Sequence, residues 1–210
     1  MDHKLLPKTS LFDQISFLMV GAIATIVVIA DMHYFAAFPL PTIDLGSALI
    51  WLAIAYFAGH IVHTISNAIR DISIIPLLNW ETTPTYLPHE KRVLEDIQSR
   101  FTKHPEEIST DYLWNLCYLL AIGRDGAGQV ENFSAYYNLY RGWFTIFFLE
   151  TIALGAAAIF YYSSIIFAFG ILSAISAILF YRRTKRFWQY LNDKVFGIVT
   201  IATKIENRTD

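Results

Sequence analysis

Apolar positions in this chain fall into long unbroken runs, and four of the runs are long enough to cross a bilayer as helices. The first extends from Ile15 to about Phe38, clean as far as Ala30 and then interrupted by Asp31 and His33. The second covers Leu45 to Ile65, the third Trp143 to Tyr162 and the fourth Ile165 to Tyr181. Between Trp143 and Tyr181 lie 39 residues with a single charge, Glu150. As one helix this stretch would be roughly 58 Å long, against a hydrocarbon core of about 30 Å. It must turn back on itself, and Tyr161-Tyr162-Ser163-Ser164 is the expected turn. Pro39 and Pro41 break the chain between the first two runs, and Asp31-Met32-His33-Tyr34 is expected at the interface.

The expected fold is therefore all-α: an integral membrane protein with four transmembrane helices and a small cytoplasmic helical region. Its divisions are a tail at 1–14, spans one and two within 15–66, a helical region at 67–142, a hairpin of spans three and four at 143–181, and an amphipathic C-terminal helix at 182–210. The composition agrees, with 55% apolar and 16% charged residues among 210. All 16 basic residues lie in the N-terminal tail, the middle segment or the C-terminal segment. The two short connections carry none, so the positive-inside rule puts both termini and the middle segment in the cytoplasm. That rule accounts for the basic clusters, and nucleic acid is not an expected partner. The apolar run behind the N-terminal lysines lacks a small-residue cleavage site and reads as a span, not a removable signal.

Outside the spans, the three prolines within 71–88 and the run Ile74-Ile75-Pro76-Leu77-Leu78 before Trp80 predict a segment lying on the inner membrane surface. Pro88 suits the first position of a helix with Val93, Leu94, Ile97 and Phe101 on its apolar side. A second short helix, capped by Ser109 or Thr110, should end at Gly123. Within it Cys117, among Leu113, Leu116 and Leu120, reads as a small core residue. As the only cysteine it excludes an intrachain disulfide. From Ala127 a helix should run unbroken into span three, with Phe133, Tyr137, Tyr140 and Phe144 on one side. After span four the face is expected to be Phe187, Leu191, Val195 and Ile198.

Polar residues inside the spans carry the candidate chemistry. Tyr56, His60, His63, Asn67 and Arg70 recur at intervals of 4, 3, 4 and 3, which aligns them along one stripe of span two. Ala55 and Gly59 form a small-residue pair on an adjacent line, and Gly21 and Thr25 another in span one. Glu150 lies about 13 Å along its helix from Arg141, while His63 and His60 lie about 10 and 15 Å from Arg70. Equal depth predicts a pairing of Glu150 with His60 or His63, as a packed polar clasp or as the lining of an ion or proton path. His60 and His63 with Glu150 supply at most three metal ligands, so no metal or other cofactor is expected. His33 falls on the opposite side, and His3, His89 and His104 fall outside the bilayer. The chain has no nucleophile elbow, nucleotide-binding loop or zinc-protease motif, which argues against an enzyme.

Gly59-His60-x-x-His63-x-x-x-Asn67, with Val130-Glu131-Asn132-Phe133-x-x-x-Tyr137-x-x-Tyr140-Arg141-Gly142 further on, resembles a group of small bacterial four-span membrane proteins. Some members of that group look like membrane subunits or effectors of antiphage defence loci. The resemblance implies an inner-membrane component acting with a cytoplasmic protein partner, and it implies no catalytic residues. The expected function is a non-enzymatic sensor or effector whose spans open an ion path or perturb the bilayer. So few spans require a pore to be shared, so a homo-oligomer, dimer or tetramer, is expected. The competing expectation is a structural anchor for a cytoplasmic protein; a histidine-dependent membrane enzyme is the third.

Overall fold

The computed structural model describes residues 11–41, 44, 46–71, 88–101 and 110–206. Among these there are six helices and no strand: α1 (Leu11–Ala36), α2 (Ala48–Asp71), α3 (Pro88–Phe101), α4 (Thr110–Arg124), α5 (Gln129–Tyr161) and α6 (Ser164–Glu206). Four of them, α1, α2, α5 and α6, are long and apolar enough to cross a membrane. The tail before Leu11, the surface segment expected within 71–88, the cap at Ser109, and His3 and His104 lie outside the described residues.

The ends of the helices follow from local chemistry. α1 stops at Ala36 because Ala37 takes φ 51° and Pro39 cannot continue a helix. The exposed carbonyls there are met from within, by the Phe38 N–H at 3.2 Å from the Met32 oxygen and by His33 Nδ1 donating to the Phe38 oxygen at 2.7 Å. Asp31 and His33 are thus helical residues of α1, and the chain leaves the helix just before Pro39, where the prolines are expected to break it. Before α2, the Ser47 N–H donates to Asp44 Oδ1 at 2.7 Å and the Asp44 N–H to Ser47 Oγ at 3.1 Å, a reciprocal cap. These bonds hold the Asp44 carboxyl below its ordinary range. α5 ends in Tyr162 at φ 45°, whose N–H returns to the Ala158 oxygen, and α6 starts two residues later, within the expected turn.

At 33 and 43 residues, α5 and α6 are roughly 50 and 64 Å long, well beyond one bilayer thickness. They pack along each other in the most extensive interface of the fold, and α3 and α4 close against their far portion. The result is a helical head. Its core joins Val93, Leu94 and Ile97 of α3 to Leu113, Cys117 and Ala121 of α4, Val130 of α5, and Leu191, Val195, Phe196 and Val199 of α6. Val93, Leu94 and Ile97 are the residues periodicity selects. For α4 the buried line is Leu113-Cys117-Ala121, whereas Leu120 is exposed. For α6 the buried face is rotated toward Phe196 and Val199, because α3 and α4 cover it as well as α5.

The other core joins α1, α2 and α5 through Val20, Val62, Leu139 and Ile146. Here two glycines set the distance between helices. A Cβ at Gly21 would run into the Ala55 carbonyl, and one at Gly59 into the Phe17 carbonyl. Each helix therefore presents bare backbone to the other, the close approach that small residues permit in membranes. Gly21 owes this role to Ala55 and Gly59 across the seam. Thr25 turns its hydroxyl back to the Gly21 oxygen, at 2.8 Å. Many large apolar side chains of the four long helices remain open, with Leu49, Phe57, Phe160 and Phe167 all mostly exposed.

Candidate functional site

Polar side chains of the long helices gather at two levels. The lower lies where the head meets α1 and α2. Arg141 of α5 is buried there, its Nη1 donating to the Tyr137 hydroxyl at 3.4 Å and its guanidinium carbon 5.2 Å from the Tyr137 ring centre. The Tyr137 ring in turn packs 5.2 Å from Trp188 of α6, and Trp188 lies 5.2 Å from Trp114 of α4. Trp114 Nε1 donates to Asn192 Oδ1 at 2.8 Å. Arg141 also stands close enough to His63 of α2 for the two to interact electrostatically.

His63 is 5% exposed, and among the described residues its Nε2 has no hydrogen-bond partner. It meets the edge of Phe17 on α1, while His60 stacks on the same ring, both centres 4.5 Å away. Tyr56 stands edge-on to His60 and donates its hydroxyl to Gln14 Oε1, and Asn138 Nδ2 reaches Asp13 Oδ1 at 3.4 Å. The stripe read from the sequence thus straddles a border. His63 is buried, and His60 and Asn67 are exposed on the flank of α2. Tyr140 leaves the cluster for α6, stacking near Phe180 and Phe187. A column of packed aromatic and polar groups therefore runs from α4 through α6 and α5 to α2 and α1.

Glu150 does not join this cluster, which corrects the pairing expected with His60 or His63. Its carboxyl faces that of Asp31 on α1 across the wall of one cavity, close enough for the two to interact. Asp31 is 14 residues from Phe17 on the same helix, so the two levels are about 21 Å apart. The error came from the reference points. Arg70 and Arg141 are not level, for Arg141 interacts electrostatically with His63, which lies seven residues or about 10 Å from Arg70. Measured from Arg141, Glu150 lies one helical stretch nearer the hairpin turn, level with Asp31.

That second level opens into a cavity of about 380 Å³ between α1, α5 and α6. Asp31, His33 and Glu150 share its wall with Phe35, Phe147, Leu154, Ile166 and Phe169. A hydrogen bond between two carboxyl groups would need a proton on one of them, since an ionised carboxylate only accepts. The sequence reading did not join Asp31 to Glu150; the available signal was a second acid on a membrane-length helix. Among the described residues no three of His, Cys, Asp and Glu are grouped so as to hold a metal ion.

In the head, burial pushes the Cys117 thiol up to about 11 and raises Tyr118, whose ring stacks on Trp114. Cys117 is therefore a thiol held neutral within packed hydrocarbon, not a nucleophile.

These features define a class: an all-helical protein whose four membrane-length helices carry a helical head and two separated polar clusters. Comparison with known protein families, with curated proteins and with solved structures finds no match to this chain.

Proposed function

We propose that the chain is a non-enzymatic membrane sensor and effector, inserted in a bacterial inner membrane with both termini and the head in the cytoplasm. It works as a homo-oligomer, and a cytoplasmic partner acts on the head to change the packing of the spans and so to pass ions or perturb the bilayer. Antiphage defence, the setting of the proteins it resembles, is the role proposed for it. The observation that carries this reading is the column Trp114–Trp188–Tyr137–Arg141–His63, buried from Tyr137 to His63 and partly buried at the two tryptophans. It joins the head helix α4 to α2 through α5 and α6, neither of which is interrupted between head and membrane-length stretch.

A guanidinium buried at such a junction is costly to shift and has few acceptable positions, so its neighbours tend to switch together. Movement of α4 against α6 would reposition Trp188 and Tyr137, and Arg141 would carry that displacement to His63 and the α1–α2 pair.

The test is ion flux through liposomes holding the full-length protein, with and without cell extract from the host. Wild type is measured beside Arg141→Lys and His63→Ala. The expected result is flux that appears with extract and changes by tenfold or more in the variants, while oligomer size is retained. If all three proteins assemble alike and stay silent under every condition, the coupling reading fails and the chain is better described as an anchor.

A further inference from the structure

The cavity at the upper level has features that coupling through the lower column does not use. At about 380 Å³ it is the size of a small-molecule pocket, and its wall is mainly aliphatic and aromatic. Its polar groups are unequal. Ser173 Oγ already donates to the Phe147 oxygen at 3.0 Å, His33 Nδ1 to the Phe38 oxygen, and the Tyr34 hydroxyl lies 3.4 Å from Ser163 Oγ. The Asp31–Glu150 pair is left as the group that can receive a ligand, and no lysine or arginine lines the cavity.

Two acids at this depth without a cation are expensive in hydrocarbon unless they share a proton or meet a positive charge. A bare metal ion suits the space poorly, since hard cations take six or more oxygens and these two carboxyl groups offer four at most. An organic cation suits it well. Its charge would lie against the carboxyl pair and its hydrocarbon against Phe35, Phe147 and Phe169, whose ring faces also attract cations. Phe35, Phe169 and Leu172 are at once lining residues and exposed on the outer surface, so the mouth opens sideways, toward the bilayer.

We propose that the cavity between α1, α5 and α6 binds a monovalent organic cation with an apolar body, an amine or quaternary ammonium compound, which enters from the membrane and rests its charge on Asp31 and Glu150. This site is separate from the head-to-span column and does not depend on it.

The experiment uses the full-length protein in lipid nanodiscs and tritiated benzyltrimethylammonium as probe. Neopentylbenzene, the same shape without the charge, and sodium chloride are the competitors. Saturable binding is expected, displaced by unlabelled probe but not by millimolar sodium, with neopentylbenzene at least tenfold weaker. Glu150→Gln and Asp31→Asn should each weaken binding by tenfold or more, in line with loss of a charge-assisted contact. Leu172→Trp, which narrows the mouth from an exposed position, should abolish binding without disturbing the carboxyl pair. Glu131→Gln, on the head portion of α5, should bind as wild type does. The proposal is overturned if the probe does not bind wild type, if sodium or the neutral analogue competes equally well, or if the carboxamide variants bind unchanged.

Discussion

Alanine at Gly21 or Gly59 tests whether the α1–α2 seam depends on bare backbone. At Gly21 the new methyl would overlap the Ala55 oxygen outright and sit 2.5 Å from the Gly59 nitrogen, where ordinary contact begins near 3.4 Å. The helices must separate by well over an ångström to restore ordinary contact, and a gap of even ~1 Å forfeits up to about half of each dispersion contact across the seam. Overpacking of this kind costs about 1–3 kcal/mol, while replacing a helical glycine by alanine returns roughly 0.5–1 kcal/mol. The net expectation is a loss of about 1–2 kcal/mol for either single variant. Because both methyls act on the same crossing, the double variant should lose only about 2 kcal/mol, short of additivity. Gly155 on α5 provides the control, since a Cβ there meets nothing within 4 Å. Gly155→Ala should stabilise by about 0.5–1 kcal/mol. Unfolding in mixed micelles titrated with dodecyl sulfate, followed through tryptophan fluorescence, measures all four. The reasoning fails if Gly21→Ala and Gly59→Ala behave like Gly155→Ala and their effects add.

Phe196 lies wholly inside the head core, so Phe196→Ala should cost about 3–5 kcal/mol there. Proteolysis should then cut α3 and α4 while the α5–α6 hairpin near Tyr162 stays protected. Cys117 should resist maleimide at pH 8 in the native protein and react at once in denaturant. Its raised folded value also has a sign: between pH 9 and about 11 the unfolded chain loses the thiol proton first, so head stability should fall as pH rises across that window. A Cys117→Ala variant should lose that part of the alkaline dependence, read as the pH profile of thermal melting.

Length and apolarity made the four long helices legible, because those quantities are local and cumulative. The turn at Tyr162 followed from the same arithmetic, and the heptad-like spacing of Val93, Leu94 and Ile97 exposed the core face of α3. Depth was not legible. Placing Glu150 opposite His60 or His63 requires the last basic residue of each helix to mark one plane, and α2 passes that plane by about two turns before Arg70. The meeting of Asp31 with Glu150 depends on how α1 lies against α5, which is fixed by the Gly142–Val20 contact and the glycine seam, not by either acid's own neighbours. The α4 and α6 faces were misjudged by a residue or so for a similar reason, since the number of covering helices is a tertiary fact.

The 43 residues of α6 have a mechanical meaning. A continuous helix whose apolar half is held by a membrane would act as a lever with its fulcrum near Tyr181. The arm beyond that point, to Glu206, is about 37 Å long. A tilt of about 5°, small enough for side chains at the pivot to absorb, would carry its far end by roughly 3 Å, about the diameter of a water molecule. The same geometry worked in reverse turns a loose contact at the tip into a fine adjustment at the turn, with a mechanical advantage set by nothing more than helix length.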